Sequence, residues 1–176
     1  MIYWMKPLPP AEIDREKYHP FIRNDWLRNH YMYFVYGLMA LLLVLGIAAG
    51  AGRELSLWMR LQLVIPVFLI HELLHFLVVF RRGNVSITHS GLYFWMNTDA
   101  RMSKGRYWLF MSLPLMMLTG LPAVLSLVCA GRAAVYLSYI AWLNAVIAGS
   151  DIINCVLILL KPRHSEFYRG YDRVAG

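Results

Sequence analysis

The stretch from Leu61 to Phe80 is apolar and long enough to cross a bilayer, yet it carries His71, Glu72 and His75. Ionisable groups are costly against lipid, so a helix holding them must turn them toward other parts of the chain. Residues four apart share one helical face, which lets both imidazoles reach a single metal ion. Glu72 follows the first histidine directly and can take a proton from a water held by that metal. The pattern His71-Glu72-Leu73-Leu74-His75 therefore suggests a zinc site inside a membrane helix, with the remaining chain as its scaffold.

Three further apolar stretches, about 31–49, 107–128 and 134–160, match this length, since about twenty residues cover the hydrocarbon thickness. With 59% hydrophobic and only 15% charged residues, the 176-residue chain is too apolar for an ordinary soluble domain. The expected fold is an all-α polytopic membrane protein, one domain with four transmembrane helices. A small interfacial β-hairpin is expected between the second and third helices. There Val85 and Ile87 alternate with Ser86 and Thr88, Ser90-Gly91 supplies a turn, and Leu92-Tyr93-Phe94-Trp95 follows. Residues 13–26 read either as a short amphipathic helix broken near Pro20 or as an ordered tail with interfacial aromatics. Pro66 is expected to kink the second helix and free carbonyls near the metal. Pro114, Gly120 and Pro122 are expected to bend the third. Cys129 and Cys155 fall in apolar stretches and read as small buried residues.

The formal charge of +7 comes from basic residues scattered between the apolar stretches, which fits loops on an anionic leaflet rather than nucleic acid. Residues 1–30 hold five Lys and Arg, the hairpin loop five and the C-terminal tail four, against two and one in the other loops. Both termini and the hairpin are thus expected in the cytoplasm of a multi-pass cell-membrane protein. No secretory signal is expected in residues 1–30, which lack an apolar core segment.

A hydrolytic zinc site commonly uses three protein ligands and one open position. Besides Glu72, the acidic residue within the apolar stretches is Asp151, and Asn144 and Asn154 fall on its helical face. Counted inward from the basic loops, His75 and His71 lie roughly 8 to 14 Å deep and Asp151 roughly 15 Å, so the three can meet. The competing reading is a buried aspartate bonded to Asn144 or Ser150. His89, in the hairpin, reads as a surface residue, and His19, His30 and His164 as solvated or interfacial.

These residues carry a resemblance. The histidine–glutamate motif in a membrane helix, the interfacial hairpin after it and Asn144…Asp151 in a later helix resemble the intramembrane zinc metalloproteases of the site-2 protease type. More closely, the size and the segment Asn144…Gly149-Ser150-Asp151-Ile152 resemble a group of small bacterial membrane proteins described as zincin peptidases, the DUF3267 family. Site-2 proteases usually carry proline after the asparagine and Leu-Asp-Gly around the aspartate; here Ala145, Ser150 and Ile152 stand at those places. The resemblance implies cleavage of a membrane-protein or peptide substrate in or beside the bilayer, with Zn2+ on His71, His75 and Asp151. Glu72 would be the general base, and Asn144 would contact substrate backbone or the oxyanion. The hairpin edge either adds an unwound substrate as a strand or merely separates two helices. A catalytically inactive metal-binding protein that regulates a partner, and a metal or proton transporter, stay open as other classes. So does homo-oligomerisation.

Overall fold

Two of the helices start by the same local device. Asn24 accepts a hydrogen bond from the Leu27 N–H at 2.9 Å, opening α1 (Asp25–Ala48) with Asp25 in its electropositive first turn. Ser56 accepts from the Met59 N–H at 3.2 Å, opening α2 (Leu57–Val79). The structure is a computed structural model that describes residues 1–174 other than 12, 15, 91 and 92, and no side chain at 4, 89, 90 and 93–95. Gly91 of the expected Ser90-Gly91 turn, Leu92 after it and the side chains of His89 and Ser90 lie outside that description.

The buried positions of α2 are Val67, His71, His75 and Val79, one residue per helical turn. The face opposite them exposes Leu61, Ile65, Leu69 and Leu77 among others, as lipid contact requires. α2 remains helical through Pro66. α3 (Lys104–Pro114) passes into a π-helical segment, Leu115–Gly120, and then α4 (Leu121–Val128), where Pro114 and Pro122 interrupt regular α-helical bonding.

The last apolar stretch, expected as one helix, is two. α5 (Arg132–Ile147) and α6 (Gly149–Leu159) meet at Ala148 with a bend of 66°. Gly149 lets Met39 of α1 pack against the join, since a Cβ there would lie 2.5 Å from Met39 Cγ. Three helical stretches, Asp25–Ala48, Leu57–Val79 and Lys104–Val128, are long and apolar enough to cross a membrane; counting the bent pair as one span makes four.

The expected hairpin forms from β3 (Val85–Ser90) and β4 (Tyr93–Thr98), antiparallel with Ile87 opposite Met96. Its base is fixed by Asp99, whose carboxylate accepts from the Asn84 backbone N–H at 2.5 Å and from Asn84 Nδ2 at 2.8 Å. Two additions were not anticipated. β1 (Ile2–Trp4) joins β3 in parallel, and a second sheet, ordered β2-β7-β6-β5, combines His19–Pro20, Tyr171–Val174, Ser165–Tyr168 and Met102–Ser103. The amphipathic helix over 13–26 does not form among the described residues: His19–Pro20 is strand and helix begins only at Asp25. Pro20 cannot donate within a helix, and backbone bonding to the C-terminal strand takes its place.

These pairings bring the start of α1, the end of α2, the start of α3 and the end of α6 to one end of the bundle. The segments gathered there are the three richest in Lys and Arg. Fully buried Asp172 of β7 accepts from Lys161 Nζ at 2.6 Å, with Arg23 at 3.8 Å, tying both termini to the end of α6. The main apolar core, Val79, Val85, Ala100, Met102 and Phe110, fills the space between this end of the helices and the strands.

Candidate metal centre

His71 and His75 project from the buried face of α2, and Asp151 from the first turn of α6; all three are buried. Their side chains converge. Asp151 Oδ2 lies 3.2 Å from Nε2 of His71 and 3.2 Å from Nε2 of His75, and the two Nε2 atoms are themselves 3.2 Å apart.

The chemistry of the outer contacts assigns the protons. Asn144 Nδ2 donates to the Pro114 carbonyl at 3.1 Å and to Thr119 Oγ1 at 2.9 Å, which leaves Oδ1 facing His71 Nδ1 at 2.9 Å. His71 must therefore donate from Nδ1. His75 donates from Nδ1 as well, to the Phe110 carbonyl at 2.6 Å. That carbonyl is available because its usual helical partner, the N–H four residues on, does not exist at Pro114. Both Nε2 atoms are then lone-pair acceptors aimed at a carboxylate oxygen that has no donor of its own. Three mutually facing acceptors buried without a proton are unstable unless a cation lies between them. A tetrahedral zinc with bonds of about 2.0 Å spaces its ligand atoms about 3.3 Å apart. The donor set fits zinc in type, number and spacing.

Two sequence expectations take different positions. Asn144 and Asp151 lie on separate helices across the bend rather than on one helical face. Asn154 does not turn toward α2: its Oδ1 accepts from the Tyr31 hydroxyl of α1 at 2.9 Å, one turn beyond Asp151. The competing reading of Asp151, bonded to Asn144 or Ser150, has no counterpart among the hydrogen bonds of the described residues. His19 and His164 are exposed, and His30 stacks on Trp26 with ring centroids 4.7 Å apart.

Phe110, Pro114 and Thr119 were not singled out as site residues. Their only sequence signal was Pro114 within an apolar stretch, four residues after Phe110. The proline whose missing N–H leaves a carbonyl to the site is thus Pro114 of α3.

The centre opens into a cavity of about 530 Å³ lined by Glu72 together with Tyr31, Phe68, Tyr107 and Met111. Glu72 is half-buried, and no described residue hydrogen-bonds its carboxylate. The hydroxyls of Tyr107 and Ser150, also in the lining, are likewise without hydrogen bonds among the described residues. The site thus combines three ligand atoms, an uncommitted carboxylate and two uncommitted hydroxyls around one space.

Residues 64–165, more than half of the chain, match the model of the DUF3267 family, described as "Putative zincin peptidase". No curated protein and no solved structure matches the chain.

Proposed function

The chain belongs to the DUF3267 family, and from that premise we propose that it is an intramembrane zinc metallopeptidase cleaving a membrane-protein or peptide substrate in the cytoplasmic half of the bilayer. The observation that carries this reading is the triangle of Nε2, Nε2 and Oδ2 atoms, each 3.2 Å from the others, beside a free Glu72 carboxylate.

His71, His75 and Asp151 would hold the ion. Asn144 and the Phe110 carbonyl are positioning groups that fix the ring orientation and tautomer of each histidine, a contribution of about 10- to 100-fold in metal affinity in comparable sites. With both its amide hydrogens engaged inside the protein, Asn144 fits this role better than substrate contact. When bound, zinc supplies a Lewis acid that acidifies water and polarises a carbonyl. Glu72 would take the water's proton as the water oxygen bonds to the carbonyl carbon, and return it to the amine nitrogen as the C–N bond breaks, so the carboxylate ends unchanged. Tyr107 or Ser150 donates a hydrogen bond to the oxyanion as it develops.

The collection of the most basic segments at one end of the bundle supports an orientation with both termini in the cytoplasm. Metal analysis paired with a cleavage assay tests the whole reading. The purified protein should hold one zinc per chain, and Glu72→Gln should keep the zinc while losing cleavage of single-span reporters. Absence of zinc, or full cleavage by Glu72→Gln, overturns it.

A further inference from the structure

A second cavity, of about 460 Å³, lies against the first on the strand-bearing side of the protein. The two share Phe21, Met96, Tyr107, Phe110 and Met111 as a common wall. Three of these are rings in contact, with Tyr107 centred 5.8 Å from Phe21 and 6.2 Å from Phe110. The far side of the second cavity is formed by Leu8 and by the turn between β6 and β7. In that turn Arg169 and Gly170 both have positive φ, 49° and 78°, the conformation of a tight two-residue hairpin.

We propose that this second cavity binds the uncharged extended segment of the substrate that flanks the scissile bond on its water-facing side. The inference rests on the peptidase reading, since it takes the first cavity as the place of cleavage. A peptide bond can reach Glu72 only if the residues beside it also leave the metal centre, at roughly 3.3 Å each when extended. The second cavity continues the first, toward the end of the bundle where a chain leaving the membrane would emerge.

Its lining specifies the class of segment. Met96, Asn97 and Thr98 are consecutive in β4 and all border the cavity, although neighbours in a strand point to opposite faces. The cavity therefore borders both faces of the end of β4, the strand at the edge of its sheet among the described residues, and reaches Thr88 of β3 beside it. Sulfur and ring surfaces of Met96, Met102, Met111 and Phe167 suit a large apolar side chain, while Asn97, whose Nδ2 donates to Thr88 Oγ1 at 3.1 Å, keeps its Oδ1 to accept from a peptide backbone and the Thr88 hydroxyl keeps its hydrogen to donate. Arg169 is the ionisable cation of the described lining; its two terminal nitrogens are engaged, and its Nε is buried out of reach. It donates to the Pro9 carbonyl at 2.5 Å, lies 3.6 Å from Asp99 and stacks 5.7 Å from the Tyr168 ring centre. Among the described residues the lining carries no charge besides Arg169, which is paired with Asp99, so charged segments are disfavoured by the cost of desolvating them without a partner.

The test uses the full chain in liposomes with a synthetic single-span probe. The probe has an apolar helix of about twenty residues followed by a serine–leucine segment bearing benzoylphenylalanine. Irradiated with Glu72→Gln, it should crosslink to β4, to Leu8 and to the β6–β7 turn. Asn97→Trp and Leu8→Trp, each added to that variant, fill the cavity from opposite sides. Each should lower crosslinking about tenfold with zinc content unchanged. A probe with aspartates in place of the serines should crosslink about tenfold less. Crosslinks confined to the lipid-facing helices, or undiminished in both tryptophan variants, overturn the assignment. Crosslinking in the cavity without any cleavage by the unsubstituted protein would count against the peptidase and for the site. Cleavage with crosslinks elsewhere would count against the site alone.

Discussion

The carbonyl oxygen of Phe110 sits 2.6 Å from Nδ1 of His75, and Pro114, four residues on, has no N–H to claim it. A helix break that looks like a packing irregularity thus fixes the tautomer of a ligand. Pro114→Ala restores a competing donor and improves helix propensity at that position. Zinc affinity should fall by about tenfold, measured by chelator competition, while thermal unfolding of the metal-free protein occurs at the same or a higher temperature. Unchanged affinity would show that the carbonyl does not hold His75.

Asn144→Ala removes three hydrogen bonds at once, from His71, to the Pro114 carbonyl and to Thr119. Groups left unpaired in a buried site cost about 1–3 kcal/mol each. Both stability and zinc affinity should fall, the latter by about 10- to 100-fold. A variant that loses cleavage but keeps its zinc affinity would return Asn144 to a substrate-binding role.

Asp151→Asn separates the cost of the empty acceptor triangle from the benefit of the ion. An amide can donate to one Nε2 where the carboxylate oxygen could only face it. Calorimetry or a dye-based melt should find the metal-free variant at least as stable as the metal-free parent. The parent alone should gain stability on adding zinc, by about 2.7 kcal/mol at a hundredfold excess over its dissociation constant. An equal zinc-induced gain in the variant would remove Asp151 from the ligand set.

Glu72→Gln should leave zinc content and melting temperature close to the parent's, because no described residue bonds the carboxylate. Loss of a general base typically lowers turnover by about 10²- to 10⁴-fold. Turnover of a cleavable single-span reporter provides the measurement, and a fall confined to KM would assign Glu72 to binding instead.

Much of the centre could be read from the chain because its strongest constraints are local or depend on polarity. His71 and His75 are one helical turn apart, and Asp151 is conspicuous in an apolar stretch. The spans follow from length and hydropathy in the same way. What stayed hidden depends on distant partners. Ala148 carries no sign of a 66° bend, and the contact beside it joins Gly149 to Met39, more than a hundred positions earlier in the chain. The strands at 2–4, 19–20 and 171–174 are too short to show a period, and each forms by pairing with a segment far along the chain. The Phe110 carbonyl is backbone, so residue identity could reveal it only through the proline that leaves it vacant.

The strands gathered around both termini act as a strap on a sheaf of rods. Four helix ends are bound together at one level, while toward the opposite level α5 holds its neighbours, Trp142 Nε1 donating to the Leu42 carbonyl of α1 at 2.9 Å and the Tyr139 hydroxyl to the Arg60 carbonyl of α2 at 3.3 Å. Cutting or displacing either terminus loosens the strap itself, so tags and truncations at the two ends are mechanical perturbations of the metal centre.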